Sequence, residues 1–331
     1  MLSSATGARI GITGLGTHVP ERVVTNDELA TMVETSDEWI TERTGIKERR
    51  FAAPEEALTD IALPAARAAL ADAGVRAEDI DLVICATVTP DMLFPTSSAL
   101  LADALGMPEA AAYDLLAGCT GFVYAIAQAY GMLASGLSKR ALVVGGDVLS
   151  KILDLEDRST LVLFGDGAGA VVMEPVSSGG FLGFELGADG GGGKHLWLPG
   201  SGSRHFENPD QYVKMNGREV FKFATRVMVY SAERILAECG RTVEDVQVYV
   251  PHQANKRIID YATAKLGIPA EKTIVNVDRY GNTSSGSIPL ALADARAAGR
   301  LDKGTLVLMT GMGAGLTWGS ALLEWTKGKG T

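Results

Sequence analysis

Two stretches of this chain, one in each half, have matching sequences. LADAGVRAEDIDLVICATVTP, which begins at Leu70, aligns without gaps with LAECGRTVEDVQVYVPHQANK, which begins at Leu236. In both stretches a helical pattern gives way to a buried apolar run, and the glycine-rich residues 165–169 likewise match residues 311–315. A period of about 165 residues is too long for a solenoid repeat. The repeat therefore predicts a duplicated α/β unit.

Helix and strand patterns follow the same order in the two halves, and a Ser/Gly linker at residues 176–180 separates them. We therefore expect an N-terminal half at residues 1–178 and a C-terminal half at residues 179–331. Helical periodicity and nearly continuous apolar runs distinguish helices from buried strands. The predicted helices cover residues 26–33, 37–45, 58–73, 95–105, 122–129, 220–239, 256–266 and 288–298. The predicted strands cover residues 9–13, 80–88, 111–116, 140–146, 170–174, 181–186, 246–250, 274–277, 305–310 and 316–325.

The composition excludes several classes of protein. No apolar run reaches the roughly 18–20 residues that cross a bilayer, and the N-terminus lacks the pattern of a secretory signal, so no membrane association is expected. A net charge of −10 disfavours nucleic acid as a partner, and an anionic ligand would need a local basic cluster such as residues 43–50. Three widely spaced cysteines indicate a reducing, cytoplasmic location, and no Cys or His cluster predicts a metal site.

The segment GITGLG at residues 11–16 has the spacing of a dinucleotide-binding fingerprint. Such a turn leads straight into a helix and is followed about 20 residues later by an acidic residue. Here His18, Pro20 and residues 23–24 (VV) follow instead, which favours extended chain. A nicotinamide-dependent dehydrogenase is therefore disfavoured.

One cysteine, Cys119, lies between a predicted strand at residues 111–116 and a helical pattern that begins at Phe122. Free N–H groups and the positive end of the helix dipole favour a thiolate at a helix N-terminus. Cys119 is therefore a candidate nucleophile, and this pattern alone does not decide its role. The alternative is a buried structural cysteine that packs as a small apolar residue.

The repeat indicates which residues accompany Cys119. Cys119 follows the third strand of the first half, Asn282 follows the third predicted strand of the second half, and His252 follows the second. Residues beyond the carboxyl ends of related strands meet near a pseudo-twofold axis, where open α/β sheets bind ligands. A histidine and an asparagine amide there could hydrogen-bond a thioester oxygen and stabilise an enolate. The alternatives are a core histidine and ordinary Gly-Asn turn chemistry.

Several motifs together are specific to one family. They are TSDEWITERTGI at residues 35–46, AGCTGF around Cys119, DRSTLVLFGDGAGA at residues 157–170, PHQANKRI around His252, GNTSSGS around Asn282 and GMGAGLTWGSAL at residues 311–322. Through these motifs, and over nearly its whole length, the chain closely resembles the β-ketoacyl-acyl-carrier-protein synthase III family. The resemblance implies the thiolase fold, with two central mixed sheets in a layered α-β-α-β-α arrangement.

The resemblance implies a ping-pong reaction that initiates fatty-acid synthesis. Cys119 would take an acyl group from acyl-CoA, after which malonyl-acyl carrier protein would lose carbon dioxide and its enolate would attack the acyl-cysteine. His252 and Asn282 would stabilise the enolate, and the backbone N–H groups of Cys119 and Ala314 would bind the oxyanion of the acyl steps. No cofactor is expected besides these substrates.

Binding residues are implied at positions that match the family's motifs. They are Trp39 and Arg158 around the CoA adenine, Arg43 on the nucleotide phosphates, Asn255 and Arg257 along the pantetheine tunnel and at its mouth, and Lys222, Arg257 and Lys265 in a basic patch for the acidic acyl carrier protein. Met312 stands where a Phe often lines the active-site channel. Phe94 matches a residue that reaches across a homodimer and closes the neighbouring acyl pocket, so its bulk predicts short primers such as acetyl or small branched acyl groups.

Alternatives within and outside this fold stay open. A thiolase would need a second catalytic cysteine late in the chain, whereas Cys239 lies in a predicted helix and Cys85 in a predicted strand. A plant-type polyketide synthase is usually longer, but a secondary-metabolite ketosynthase or acyltransferase of the same family is not excluded. A non-catalytic module that binds acyl-CoA or a carrier protein would be indicated by loss of Cys119, His252 or Asn282, and all three residues are present.

Overall fold

The computed structural model describes residues 7–200, 202–205 and 207–328, so residues 1–6, 201, 206 and 329–331 of the two predicted halves lie outside the described residues. The α-helices are α1 (Asn26–Leu29), α2 (Asp37–Thr44), α3 (Leu58–Ala73), α4 (Ser97–Leu105), α5 (Gly121–Ser135), α6 (Arg158–Leu161), α7 (Gly217–Glu238), α8 (Lys256–Leu266), α9 (Val277–Tyr280) and α10 (Ser287–Ala297). The β-strands are β1 (Arg9–His18), β2 (Val23–Thr25), β3 (Glu48–Arg50), β4 (Leu82–Ala86), β5 (Ala111–Leu115), β6 (Ala141–Asp147), β7 (Gly167–Val176), β8 (Gly180–Ala188), β9 (Leu196–Trp197), β10 (Lys214–Met215), β11 (Val248–Pro251), β12 (Leu306–Gly313) and β13 (Thr317–Glu324).

Two mixed sheets have corresponding strand orders. The first is ordered β1-β7-β6-β4-β5 and the second, read from its other edge, is ordered β8-β13-β12-β11. The pair β4·β6 is parallel, as is β11·β12, whereas β6·β7 and β12·β13 are both antiparallel. The matching orders and directions confirm the duplicated α/β unit. The segment GITGLG lies within β1 and not in a strand-to-helix turn.

The two copies end their outer helices in the same way. Gly74 follows α3 with a φ of +68°, and Gly240 stands at the end of α7 with a φ of +64°. Glycine is the residue that adopts this left-handed conformation without steric cost, which explains why both helices stop there. The next strands of the two sheets begin at Leu82 and Val248, at equal distances from those glycines.

Five layers alternate through the molecule. Helices α5 and α10 lie between the two sheets, and their apolar residues share one core with strands of both, including Phe122 of α5, Leu292 of α10, Ile84 of β4 and Val250 of β11. Helices α3 and α4 cover the outer face of the first sheet, and α7 covers that of the second with α8 packed beside it. The predicted α-β-α-β-α arrangement is confirmed.

One predicted strand, at residues 274–277, does not form. Only an isolated parallel bridge joins Thr273 to Tyr249, at the position where β5 pairs with β4 in the first sheet. The side-chain oxygen of Gln253 instead accepts the N–H groups of Asn276 and Val277, at 2.9 and 3.2 Å. A side chain thus takes up the backbone donors that a strand would have used, and the short helix α9 begins at once.

The N-terminal region departs from two further expectations. The helix predicted over residues 26–33 ends at Leu29. Thr25 caps its N-terminus, and the Asn26 side chain is buried and donates to the carbonyl of Ile46. Arg49, expected in a surface basic cluster, is fully buried. Its guanidinium donates to Asn26 Oδ1 at 2.9 Å and to the Val162 carbonyl at 3.0 Å. Arg49 therefore links buried segments of the core and is not free to bind an anion.

Among the described helices, none has the length and apolar character of a membrane span.

Candidate active site

Three residues from separate parts of the chain line one cavity of about 150 Å³. They are Cys119 in a 3₁₀ turn before α5, His252 directly after β11, and Asn282 shortly after α9. All three side chains are buried. The structure therefore brings together the cysteine, the histidine and the asparagine that the repeat predicted to meet.

The turn that carries Cys119 is packed directly against the loop after β12. Gly118 has a φ of +57°, and a Cβ atom added to it would lie 2.7 Å from both the nitrogen and the oxygen of Ala314. The Thr317 hydroxyl fastens the two segments, since it lies 2.9 Å from the Ala117 carbonyl oxygen and 3.0 Å from that of Ala314. The backbone N–H groups of Cys119 and Ala314 thus belong to adjacent segments, at a distance that only glycine at position 118 allows.

The Cys119 side chain is a neutral thiol in this environment, not the expected thiolate. Burial raises the pKa of Cys119 to about 12. The Ser284 hydroxyl and the N–H of Cys119 itself lower that pKa, but the Asp147 carboxylate raises it. Desolvation in a cavity closed by both halves therefore opposes the thiolate that the helix N-terminus favours.

His252 is a neutral imidazole. Burial lowers its pKa to about 3. Its Nδ1 atom lies 2.5 Å from Ser287 Oγ, and its backbone N–H donates to the Thr310 carbonyl at 2.7 Å. Its Nε2 atom is buried and has no hydrogen-bond partner among the residues that the structure describes. A buried unpaired nitrogen on the wall of a cavity is available to a ligand atom.

Asn282 is held by both its backbone and its side chain. Its N–H donates to the Leu163 carbonyl at 2.8 Å, and its carbonyl accepts from Gly165 at 3.0 Å. Its Oδ1 atom accepts from the Ser284 N–H at 2.9 Å. The amide oxygen is therefore engaged, and the NH₂ group is the end left to donate to a molecule in the cavity.

Two residues of the predicted pantetheine tunnel and channel line the same cavity. Met312 and Asn255 both contribute to its wall. Asn255 caps α8 through a 2.8 Å bond from the Arg257 N–H, and its amide donates to the Arg43 carbonyl at 3.2 Å. Arg257 itself is exposed, with its guanidinium 5.6 Å from the centroid of the Phe221 ring, which also lines the cavity. Arg257 thus lies beside the cavity and not within it.

The residues of the predicted nucleotide site lie together, but they leave no room for an adenine base between them. The guanidinium carbons of Arg43 and Arg158 lie 4.9 and 4.8 Å from the centroid of the Trp39 ring. Arg158 also donates to the Glu34 carbonyl at 2.8 Å. An adenine held between two planar groups needs about 7 Å between them, that is, two contacts of about 3.5 Å. A base would therefore enter only after the Arg158 side chain moves.

The predicted basic patch is divided between two places. Lys222 and Lys265 line an open groove of about 680 Å³ between α7 and α8, and Arg257 does not. Arg226, which the sequence motifs did not indicate, lines the same groove.

Phe94 does not line the cavity of its own chain and lies 83% exposed on the surface. Within the described residues, no group of His, Cys, Asp or Glu side chains could hold a metal ion.

Two family models match the chain: 3-oxoacyl-[acyl-carrier-protein] synthase III over residues 113–190 and the C-terminal part of the same synthase over residues 236–325. A β-ketoacyl-[acyl-carrier-protein] synthase III of Symbiobacterium thermophilum is 54% identical over 323 residues, which cover 96% of this chain and 98% of that protein. The chain belongs to the β-ketoacyl-acyl-carrier-protein synthase III family. As a member of this family it is an acyltransferase with the thiolase fold.

Solved structures of a synthase III and of a priming β-ketosynthase also resemble the chain. The enzyme of Thermus thermophilus is 51% identical, with a TM-score of 0.91 and coverage of 95% of this chain and 99% of that one. A priming β-ketosynthase from the R1128 polyketide biosynthetic pathway is 38% identical, with a TM-score of 0.91 and coverage of 98% of each chain. Synthases of this fold therefore include a member that serves polyketide formation.

Some residues around the synthase III site were missed by sequence reasoning. Ser287 contacts His252, Ser284 lies beside Cys119, and Asp147 anchors the turn between them through Ser285. The motif GNTSSGS contained all three serines, but serines in a glycine-rich segment are ordinary turn residues. Only the packing of the two halves shows what each hydroxyl faces.

Proposed function

We propose that this synthase III condenses a short-chain acyl-CoA primer with malonyl-acyl carrier protein and so initiates fatty-acid synthesis. The observation that supports this most directly is the shared cavity of Cys119, His252 and Asn282. A nucleophile and two hydrogen-bond donors around one space are what two-step acyl transfer and enolate formation require.

In the first half-reaction the Cys119 sulfur attacks the thioester carbonyl of acyl-CoA. The tetrahedral oxyanion lies within reach of the N–H groups of Cys119 and Ala314, the two adjacent backbone segments. The carbon–sulfur bond to CoA then breaks, and the proton lost from Cys119 is balanced by the proton gained by the departing CoA sulfur. The product is an acyl-Cys119 thioester and free CoA.

In the second half-reaction malonyl-acyl carrier protein enters the same cavity. The carbon–carbon bond to its carboxylate breaks, and carbon dioxide leaves. The resulting enolate oxygen accepts hydrogen bonds from His252 Nε2, which has no partner among the described residues, and from the Asn282 amide, whose oxygen already accepts from the Ser284 N–H. The enolate carbon attacks the acyl-Cys119 carbonyl, and the bond from that carbonyl to the Cys119 sulfur breaks. The β-ketoacyl product leaves, and the released thiolate takes up one proton from solvent to restore the neutral thiol. Both donors are neutral, so they stabilise the enolate without a buried positive charge in the resting site.

Substrate recognition is divided among residues at the wall of the cavity and around it. Trp39, Arg43 and Arg158 bind the CoA nucleotide, and Asn255 and Arg257 follow the pantetheine arm. Lys222 and Lys265 present positive charge to the acidic carrier protein from the neighbouring groove, which reconciles the net charge of −10 with an acidic partner. The reaction as written needs no cofactor beyond these substrates.

We further propose a cytoplasmic homodimer. Strand β5 is at the edge of the first sheet, and the exposed Leu116 follows it directly. Leu93 and Phe94 lie on the surface at 67% and 83% exposure, a fraction unusual for apolar side chains this large unless a partner covers them. In a dimer Phe94 would close the partner's acyl pocket and favour short primers. Cys85, Cys119 and Cys239 are all free thiols, which suits a reducing compartment.

A panel of acyl-CoA primers with malonyl-acyl carrier protein or malonyl-CoA tests this function. Intact-protein and peptide mass spectrometry should show the acyl group on Cys119, and Cys119→Ser should abolish the adduct. His252→Ala should keep some acylation and lose carbon dioxide release. A stable acyl adduct on another residue, or decarboxylation unaffected by the His252 change, would contradict the mechanism.

The second candidate function is that of a secondary-metabolite ketosynthase or acyltransferase of the same family. It is favoured by the structural match to the priming β-ketosynthase of the R1128 pathway. The same primer panel separates the two functions, since efficient use of acetyl or small branched primers with a fatty-acid carrier protein supports the first. A strong preference for a carrier protein of a polyketide pathway supports the second.

A further inference from the structure

The Thr317 hydroxyl contacts the cysteine turn and the loop after β12 at the same time. Thr317 is the first residue of β13, and its side chain is buried. Its hydroxyl oxygen lies 2.9 Å from the Ala117 carbonyl oxygen and 3.0 Å from the Ala314 carbonyl oxygen. The Thr120 hydroxyl oxygen is 2.6 Å away. Because Ala117 and Thr120 stand on either side of Cys119 in the chain, one hydroxyl joins both ends of this turn to the neighbouring loop.

The partners of the Thr317 hydroxyl determine the direction of its hydrogen bonds. A carbonyl oxygen can only accept, so the single Thr317 proton points to the carbonyls of Ala117 and Ala314, which share it. The contact with Thr120 is then made by the Thr120 proton, and the Thr317 oxygen accepts it. The Thr317 proton is thus engaged by the backbone and does not reach a substrate. Any part that Thr317 plays in the reaction is exerted through the groups that it holds.

The peptide groups that Thr317 holds lie next to the two N–H groups of the expected oxyanion site. The Ala117 carbonyl belongs to the peptide group directly before the one that carries the Cys119 N–H. The Ala314 carbonyl belongs to the peptide group directly after the one that carries the Ala314 N–H. The two backbones are in contact, since a Cβ atom added to Gly313 would meet the Cys119 nitrogen. A change at Thr317 would therefore alter how these two N–H groups are aimed.

We propose that Thr317 is a positioning residue for acyl transfer, whose hydroxyl fixes the separation and direction of the Cys119 and Ala314 N–H groups. These donors act when the sulfur has added to the carbonyl and negative charge develops on its oxygen. Their effect depends on placement at about 2.7–3.1 Å from that oxygen, so a small displacement weakens it. This inference rests on the proposed function in that the Cys119 sulfur attacks an acyl carbonyl.

Substitutions at position 317 separate the hydroxyl from the size of the side chain. Thr317→Val replaces the hydroxyl with a methyl group of similar size, and Thr317→Ser keeps the hydroxyl. Thr263→Val is a matched control because the Thr263 hydroxyl also contacts a second threonine hydroxyl, that of Thr273 at 3.4 Å, and neither residue lines the cavity. Thermal unfolding establishes that each variant is folded. If Thr317→Val does not fold, Thr317→Ala provides the same measurement without a methyl group beside the two carbonyl oxygens.

Two kinds of reaction at the Cys119 sulfur differ in their need for an oxyanion site. Acetyl-CoA and p-nitrophenyl acetate react at a carbonyl carbon: a sulfur–carbon bond forms, and the bond to the CoA sulfur or to the p-nitrophenolate oxygen breaks. The thiol proton passes to the CoA sulfur or to solvent. Iodoacetamide reacts at a saturated carbon, from which iodide leaves while the thiol proton goes to solvent, so no oxyanion forms. Intact-protein mass spectrometry with peptide mapping gives each rate at Cys119.

Thr317→Val should lose acylation and keep alkylation. The rates with acetyl-CoA and with p-nitrophenyl acetate should both fall at least about tenfold, because misplaced donors stabilise the oxyanion less. Alkylation by iodoacetamide should stay within about twofold of the unmodified protein, since it depends on the sulfur nucleophile alone. Thr317→Ser should restore most of the acylation rate, and Thr263→Val should match the unmodified protein in all three reactions.

Three results would overturn the proposal: an unchanged acylation rate in Thr317→Val, equal losses of acylation and alkylation, or a Thr317→Ser variant as slow as Thr317→Val. Equal losses would assign Thr317 a general structural role. Failure of the proposed function gives a different result, in which acetyl-CoA does not acylate the unmodified protein but p-nitrophenyl acetate does, with the same dependence on Thr317. Acylation of Cys119 by neither reagent would overturn both proposals.

Discussion

The Nδ1 atom of His252 and the hydroxyl oxygen of Ser287 lie 2.5 Å apart in the buried centre of the molecule. The same hydroxyl oxygen accepts from the Gln253 N–H at 3.4 Å. Because that backbone group can only donate, the arrangement favours a Ser287 O–H that donates to Nδ1. The imidazole proton is then on Nε2, the nitrogen that faces the cavity without a partner. Ser287 therefore selects the tautomer that can donate to an enolate oxygen.

Ser287→Ala should impair decarboxylation more than acylation. Without the hydroxyl, the ring loses the contact that fixes its tautomer, and the Nε2–H donor is no longer the dominant form. We expect carbon dioxide release from malonyl-acyl carrier protein to fall about tenfold, the scale of one such hydrogen bond. Formation of acyl-Cys119, measured by intact mass, should change less than twofold. That limit is well below the tenfold change that corresponds to roughly 1.4 kcal/mol.

Thr263→Val serves as the control for this change, since its hydroxyl lies in a buried contact with Thr273 at 3.4 Å, within the same half of the chain. It should leave both half-reactions intact. Equal losses in acylation and decarboxylation for Ser287→Ala would point to a general loss of structure and would contradict the tautomer argument.

The reactivity of Cys119 should depend on pH in an unusual way. With a pKa of about 12, the thiol is neutral at every pH at which the protein is assayed. At pH 8 an ordinary cysteine is about one-quarter thiolate, whereas a thiol with this pKa is about 0.01% thiolate. Because the thiolate is the reactive form, alkylation by iodoacetamide should rise about tenfold per pH unit from 7 to 10. A plateau near pH 8.5 would show that Cys119 ionises like an exposed cysteine.

Trp39→Ala should weaken acyl-CoA binding specifically. Stacking of a base on an aromatic ring contributes about 1–3 kcal/mol, so the KM for acyl-CoA should rise about tenfold. The reaction with acyl-pantetheine, which lacks the nucleotide, should be unaffected. Tyr230→Ala is a fitting control because Tyr230 also lies against an arginine, with the Arg234 guanidinium carbon 5.6 Å from its ring centroid. A Trp39 variant that loses equal efficiency with both substrates would argue against a nucleotide site there.

Leu116→Arg should separate the proposed dimer into monomers. Leu116 follows the edge strand β5 and is 78% exposed in the single chain. A buried unpaired charge at a subunit contact is strongly unfavourable. Sedimentation velocity should show half the mass of the unmodified protein. Leu137→Arg supplies the comparison, since Leu137 is exposed to the same 78% and follows α5 rather than an edge strand. Identical sedimentation of the two variants would contradict a dimer interface at β5.

Features set by local sequence were predictable. Gly74 and Gly240 end their helices because glycine adopts the left-handed turn without steric cost, and that signal is present in the chain itself. The repeat then placed Cys119 and Asn282 at equivalent points of two related units. The family motifs supplied the remaining assignments, because the residues that carry them are recognisable without any structure.

Features set by contact between distant segments were not predictable. The pattern at residues 274–277 is that of a strand, and nothing local shows that the Gln253 side chain takes its N–H groups. The helix N-terminus at Cys119 indicates a thiolate, but the burial that reverses this depends on both halves closing over it. Arg49 is charged like its neighbours, and only the carbonyl and amide groups around it explain its burial.

The missing pairing in the second sheet has a consequence for how copies of this chain associate. In the first sheet β5 offers a complete outer edge, whereas the corresponding segment of the second sheet covers β11 with a single bridge and then turns away. An edge strand that pairs with the same strand of a second copy is no longer available to a third copy. A molecule with two such edges could add copies at both ends and grow into a fibre. With its second edge blunted in this way, the proposed dimer would be a closed pair and not the start of an open-ended polymer.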